Sequence, residues 1–248
     1  MKKSIFISGL FFILLSVIGS AQELPAAPSP FRLYNNLSKE MPTFLNASEA
    51  DLLEQRLRSF NDSTGNQIVV LIIDDLLGYE DWEYATEIGQ KWGVGQKDKD
   101  NGIVFLIKPT GGQGERKTFI SVGEGLEGAI PDALTGQIIN YEVIPYFKEG
   151  EFSAGVNKGV TVLIDLANGE YSADEYAENA GGGGFGLWLV GLFLIFWLVA
   201  FFLGRKNGGG MGGTFYGGGF SSSSGGGFSS GGSFGGGSFG GGGAGGSW

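Results

Sequence analysis

The chain has 248 residues, 16 of them basic and 26 acidic, and it contains neither His nor Cys. Ser-His-Asp and Cys-His nucleophiles, His/Cys zinc sites and disulfides are therefore excluded. Carboxylates, amides, hydroxyls and backbone carbonyls remain for chemistry, and these are the ligands of a hard cation such as Ca²⁺ or Mg²⁺. All 26 acidic residues but only 12 basic ones fall within residues 22–184, giving that piece a net charge of −14. Such a field argues against nucleic acid as a partner and concentrates divalent cations, although it also serves plain solubility.

Met1-Lys2-Lys3 precedes an apolar run from Ile5 to Ile18, and Gly19-Ser20-Ala21 supplies the small residues a signal peptidase reads. Residues 1–21 are expected to be a signal peptide cleaved after Ala21; the run is short for an uncleaved anchor. Residues 22–31, with Pro25, Pro28 and Pro30, read as an extended linker.

The folded piece is expected over residues 32–170. Asn46 and Glu49 form a capping box ahead of a helix whose Ala50, Leu53, Leu57 and Phe60 recur at helical spacing. The β-branched run Gln67–Ile73 predicts a strand buried on both faces. A second helix is predicted from about Glu80 to Trp92, ending at Gly93. Ile103–Ile107 and Lys117–Val122 predict two strands of a hairpin around the turn Gly111-Gly112-Gln113-Gly114. Ala133 to about Phe147 predicts a helix broken or kinked by Pro145, and Ser153 to about Ala167 predicts another, closed by Gly169. This order gives an α/β sandwich with a small mixed sheet between helical layers.

Residues 171–184 read as an acidic, Gly-rich linker. Residues 185–204 then run twenty positions without a charge, long enough to span a bilayer as a transmembrane helix. Arg205 and Lys206 follow at once, so the positive-inside rule places the folded domain outside the cytoplasm and the tail inside, on a single-pass cell-membrane protein. Residues 205–248 are expected to be disordered, since the stretch from 207 onward holds 22 glycines and nine serines around isolated Phe residues and a terminal Trp248. The tail's aromatic residues either bind a partner or ride on a passive tether.

Two acidic turns bracket the predicted hairpin. Asp98-Lys99-Asp100-Asn101-Gly102 leads into its first strand, and Gly123-Glu124-Gly125-Leu126-Glu127-Gly128 leaves its second, followed by Pro131-Asp132. Each has an ordinary explanation, as a polar turn or as first-turn acids on a helix dipole. Antiparallel pairing places both at the end of the hairpin opposite Gly111, where glycines would let carbonyls approach an ion. The candidate metal ligands are Asp100, Asn101, Glu124, Glu127 and Asp132. No residue stands out as a nucleophile or base. Trp82 and Trp92 read as helix-sheet packing.

The motifs Leu45-Asn46-x-x-Glu49, Thr64-Gly65-x-Gln67-Ile68-Val69-Val70, Trp92-Gly93-x-Gly95, Lys99-Asp100-Asn101-Gly102, Val122-Gly123-x-Gly125-Leu126-Glu127-Gly128, Pro131-Asp132 and Ile144-Pro145-x-Phe147 together resemble the TPM domain family. The layout of signal peptide, domain, membrane helix and Gly/Ser tail looks like its membrane-anchored bacterial branch. The resemblance implies a Rossmann-like α/β/α sandwich, divalent-metal binding and, in some members, acid phosphatase activity. Asp100, Asn101 and Asp132 match the family's acidic loop positions, while Asn36, or Glu40 under a different alignment, stands where the family often has Asp. Two functions follow. One is a Ca²⁺-binding module, with Ca²⁺ favoured over Mg²⁺ or Mn²⁺, that contacts membrane or envelope proteins during their maintenance; the alternative is a metal-dependent phosphatase acting on phosphate monoesters.

Overall fold

The computed structural model describes residues 23–169 and 235–248. Strand β1 (Tyr34–Asn36) precedes helix α1 (Ala47–Thr64). The capping box closes as expected, with Asn46 Oδ1 accepting the Glu49 N–H at 3.0 Å and Glu49 Oε2 accepting the Asn46 N–H at 2.9 Å. Gly65, at φ 77°, ends the helix in the left-handed conformation a Cβ would oppose. Glu54 points from α1 to β1, accepting the N–H groups of Leu33 and Tyr34 at 2.9 and 2.7 Å, and pairs with Arg58 at 2.6 Å. Two backbone donors and one guanidinium offset the desolvation of this buried carboxylate.

Strand β2 (Gln67–Ile72), helix α2 (Asp81–Trp92), strand β3 (Gly102–Lys108) and strand β4 (Lys117–Val122) follow at the predicted places. β1, β2 and β3 are parallel and β4 returns antiparallel, with Ile103 opposite Val122 and Lys108 opposite Lys117. Every residue of β2 is buried, which its unbroken apolar run required.

Alternation along the strands assigns the faces. Ser121, which pairs with Val104, meets Thr86 of α2 at 3.3 Å between hydroxyl oxygens. Phe105, one position on, faces the opposite layer, where a Cβ on Gly159 of helix α5 (Phe152–Ala167) would lie 3.1 Å from its ring. Helices thus cover both faces of a mixed sheet.

The single helix predicted beyond Pro131 is three segments: α3 (Asp132–Gln137), a π-helical turn (Ile138–Val143) and α4 (Ile144–Glu149). Pro145 sits in the first turn of α4, where its missing N–H costs nothing, and the Ile144 N–H reaches back five residues to the Ile139 carbonyl. A wide turn therefore takes the place of a broken helix.

The chain's end departs from expectation. Residues 205–248 were expected to be disordered, yet Gly243–Ser247 form strand β5, antiparallel to β4, with Lys117 opposite Ser247 and Ser121 opposite Gly243. The sheet order is β1-β2-β3-β4-β5. Composition alone misleads here because β5 needs no core of its own; it borrows the edge of β4. Among the described residues, no helix is long and apolar enough to cross a membrane. The expected signal peptide, the linker at 171–184 and the span at 185–204 lie outside the described residues.

Candidate functional site

The two acidic turns do meet. The Gly123 N–H donates to the Gly102 carbonyl at 2.8 Å, and the Gly125 N–H to the Asp100 carbonyl at 3.0 Å. A Cβ on Gly125 would fall 1.8 Å from the Lys99 carbonyl oxygen and one on Gly123 2.2 Å from that of Asp100. These glycines therefore serve backbone-to-backbone contact between loops, and the Asp100 carbonyl accepts an amide N–H. Asp100 itself has φ 47°, a left-handed geometry Asp tolerates.

Asn101, a candidate ligand, turns inward. It is 4% exposed, its Oδ1 accepts the Gln96 N–H at 2.8 Å, and its Nδ2 donates to Asn66 Oδ1 at 2.8 Å and to the Gly65 carbonyl at 3.1 Å. With donor and acceptor used, it is a strut between the α1–β2 and α2–β3 connections. Asn36 and Glu40 lie at the other end of the sheet, since Asn36 pairs with Ile72 and Ile72 with Ile107. Asn36 there closes a turn, donating to the Met41 carbonyl at 3.0 Å and accepting the Ser38 N–H at 3.0 Å.

The remaining carboxylates face the chain's end. Asp100 Oδ1 accepts the Ser238 N–H at 2.6 Å, and Asp132 Oδ1 accepts the Gly243 N–H at 2.6 Å. Between them, Glu124 Oε1 would lie 3.3 Å from a Cβ on Gly240, and Glu127 Oε1 2.7 Å from one on Gly242. Four acids thus line one stretch of glycine backbone. Among the described residues, no group of three or more acidic side chains is arranged to hold one metal ion. With β5 in place, Asp100 and Asp132 each accept a backbone N–H of the chain's end.

What the site does hold is a peptide. The Trp248 N–H reaches the Arg116 carbonyl at 3.4 Å, and the Gly114 N–H donates to the Trp248 carbonyl at 3.1 Å. The Trp248 ring is 4% exposed, 4.9 Å from the Phe147 ring and 5.9 Å from the Arg116 guanidinium. Its Nε1 has no partner among the described residues, a cost of about 1–3 kcal/mol that the ring's burial must exceed. Upstream, Phe239 is 3% exposed and covers Gly89 and Gly102, while its carbonyl accepts from Gln90 Nε2 at 3.0 Å.

The glycines of this segment are read sterically. A Cβ on Gly243 would stand 2.0 Å from the Ile120 carbonyl oxygen, one on Gly246 2.6 Å from Ile144 Cδ1, and one on Gly237 2.5 Å from the Val94 carbonyl oxygen. Sequence reasoning missed this receptor. Its one legible signal was Gly89 inside a helix, where glycine costs about 1 kcal/mol against alanine and calls for a packing reason.

Fold and site together define a mixed α/β domain whose sheet is completed by the chain's own glycine-rich end, laid along a row of carboxylates. The chain belongs to the TPM domain family, whose model matches residues 40–166. Among solved structures it is similar to the N-terminal domain of a protein from P. gingivalis, at 22% identity over 57% of this chain and 85% of that one, with a TM-score of 0.48. It is also similar to the N-terminal domain of the cg2496 protein from Corynebacterium glutamicum, at 13% identity over 62% of this chain and 91% of that one, with a TM-score of 0.41. No curated protein matches.

Proposed function

We propose that this chain is an exported domain, held at the cell membrane by residues 185–204, that acts by protein contact in the maintenance of membrane or envelope proteins. The observation that carries the reading is the pair of hydrogen bonds from Ser238 and Gly243 N–H groups to Asp100 and Asp132. These carboxylates grip a peptide backbone beside a sheet edge, the anatomy of strand-addition recognition, in which main-chain bonds supply affinity and pockets supply selectivity. The alternative is phosphate-monoester hydrolysis, for which no residue stands out as nucleophile or base.

A divalent cation, Ca²⁺ ahead of Mg²⁺ or Mn²⁺, enters this reading as a competitor of the tail for Asp100 and Asp132. The exposed carboxylates of Glu124, Glu127 and Asp132, with half-buried Asp100 beside them, suit the irregular oxygen shell of Ca²⁺ better than the octahedron Mg²⁺ demands. On membrane placement, pairing of β5 supports a chain end that shares the domain's extracytoplasmic face. A single crossing at 185–204 would separate the two, so the cytoplasmic tail expected from Arg205 and Lys206 and the docked strand exclude one another.

The test is calorimetric titration of the purified full chain with Ca²⁺, Mg²⁺ and Mn²⁺, together with phosphate release from a phosphate monoester. It compares wild type with Asp100→Asn, Asp132→Asn and Trp248→Ala. Ca²⁺ should bind more tightly to Trp248→Ala, whose carboxylates are freed, with no phosphate release dependent on either Asp. Phosphate release lost in both Asp variants would overturn the protein-contact reading in favour of the phosphatase.

A further inference from the structure

We propose that the β4 edge is a strand-addition site for the glycine-rich, Trp-terminated end of a second copy of this chain, so that copies exchange their ends. The segment 235–248 has the anatomy of a peptide ligand. Its strand, Gly243–Ser247, contributes only the Ala244 methyl, the Ser247 hydroxyl and backbone to the sheet. Its grip comes from a ladder with β4 and from two buried rings, Phe239 and Trp248, at either side of that strand.

The socket is also complete within one copy. The described contacts to 235–248 all come from residues 81–147, from Asp81 beside Gly245 to Phe147 beside Trp248. None depends on the covalent path by which the segment arrives. That path, residues 170–234, is 65 residues long. The effective concentration of an intramolecular partner falls as the chain that joins the two sites lengthens. Docking in cis and docking from a neighbour then form identical contacts, the condition under which exchange of an element between protomers is a low-cost route to dimers.

Selectivity comes from shape. Side chains at 237, 243, 245 or 246 would collide with the Val94 carbonyl oxygen, the Ile120 carbonyl oxygen, Phe119 or Ile144. An end lacking these glycines is rejected, and one lacking Trp248 loses the ring that packs on Phe147. The proposal is independent of whether the loops bind a cation.

The chain contains no Cys, so engineered thiols report without background. Lys117 and Ser247 are directly paired across the β4–β5 ladder, within the Cα separation a disulfide spans. Purified full chains of Lys117→Cys and of Ser247→Cys are mixed, incubated and oxidised. A mixed disulfide dimer is expected, with a yield that rises with concentration and falls on adding a synthetic peptide of residues 235–248. Asp51→Cys, exposed on α1 against β1 at the opposite edge of the sheet, mixed with Ser247→Cys should give none. The proposal is overturned if the double variant Lys117→Cys/Ser247→Cys closes only within one chain while the mixture stays monomeric at every concentration. It is equally overturned if even the double variant fails to close, since β5 pairing itself would then be absent.

Discussion

Asp132 Oδ1 accepts the backbone N–H of Gly243 at 2.6 Å, joining residues 111 positions apart. A hydrogen bond to an ionised carboxylate contributes about 1.5–3 kcal/mol, and solvent exposure at Asp132 moves this toward the lower end. Asp132→Ala should therefore loosen the docked end by roughly 1–2 kcal/mol. Amide exchange in β4 reads this directly, with faster exchange expected at Lys117–Val122 and little change in β2. Unchanged β4 protection would show that the carboxylate does not hold the strand.

Trp248→Ala removes a buried ring. In a closed core such a truncation costs about 3–5 kcal/mol, but here the loss cannot exceed the free energy of docking, because the segment can leave. The expected result is release of 235–248 with the α1–α5 core intact. Limited proteolysis would show cleavage within 235–248, while far-ultraviolet dichroism stays near wild type. A globally unfolded variant would mean that β5 is integral to the fold.

Gly89 and Phe239 form a pair that a double-mutant cycle can isolate. A Cβ on Gly89 would stand 2.6 Å from Phe239 Cε2, so Gly89→Ala must expel the ring or bend α2. With Phe239 already changed to Ala, the same substitution no longer meets the ring and gains about 1 kcal/mol of helix propensity. Thermal denaturation of the four chains should show a change of sign, which additive behaviour would contradict.

Asp74 predicts a pH response at the far end of the sheet. Burial pushes its pKa up, but the Ser38 hydroxyl, the Lys39 and Glu40 N–H groups and the Lys39 charge outweigh this and hold it below the usual carboxylate range. The unfolded chain then binds the proton more readily than the folded one. This contribution is complete above the unfolded pKa and is lost as pH falls through the depressed folded value. Wild type should exceed Asp74→Asn in Tm at pH 6, with the gap closing below about pH 4. A gap unchanged down to pH 2 would contradict this.

The placement of the chain's end is open to direct labelling. Ser247 is exposed beside the docked Trp248, so Ser247→Cys should react with a membrane-impermeant maleimide added to intact cells. Labelling only after lysis would put the end in the cytoplasm and leave no room for β5 pairing in the inserted protein.

Local signals carried α1, β2, α2, β3, β4 and α5, because each announces itself within its own residues. Asn46 and Glu49 cap α1 reciprocally, Ile68–Ile72 is apolar throughout, and Gly93 turns left-handed where α2 stops. β1 escaped notice because three residues with two Asn carry little period. Its pairing is set by Glu54 from a helix still to come. The five candidate ligands divide the same way. Spacing and hairpin logic brought the loops together, but nothing local shows that Asn101 turns to Asn66, or that Asp100 and Asp132 face Ser238 and Gly243.

By itself, then, the sequence determined the inventory: an acidic α/β domain without His or Cys, a hairpin with two acidic turns at one end, and a tail of glycine punctuated by aromatics. Patterning and capping act over a few residues, so they survive in one dimension. Tertiary structure alone decided what those turns hold and where the tail goes. Glycine earns no place by propensity; its value lies in the atom it lacks, and that matters only where Ile120, Val94 and Ile144 already stand. The fit between an acidic rim and a glycine-rich end more than a hundred residues away exists only once both are folded against β4.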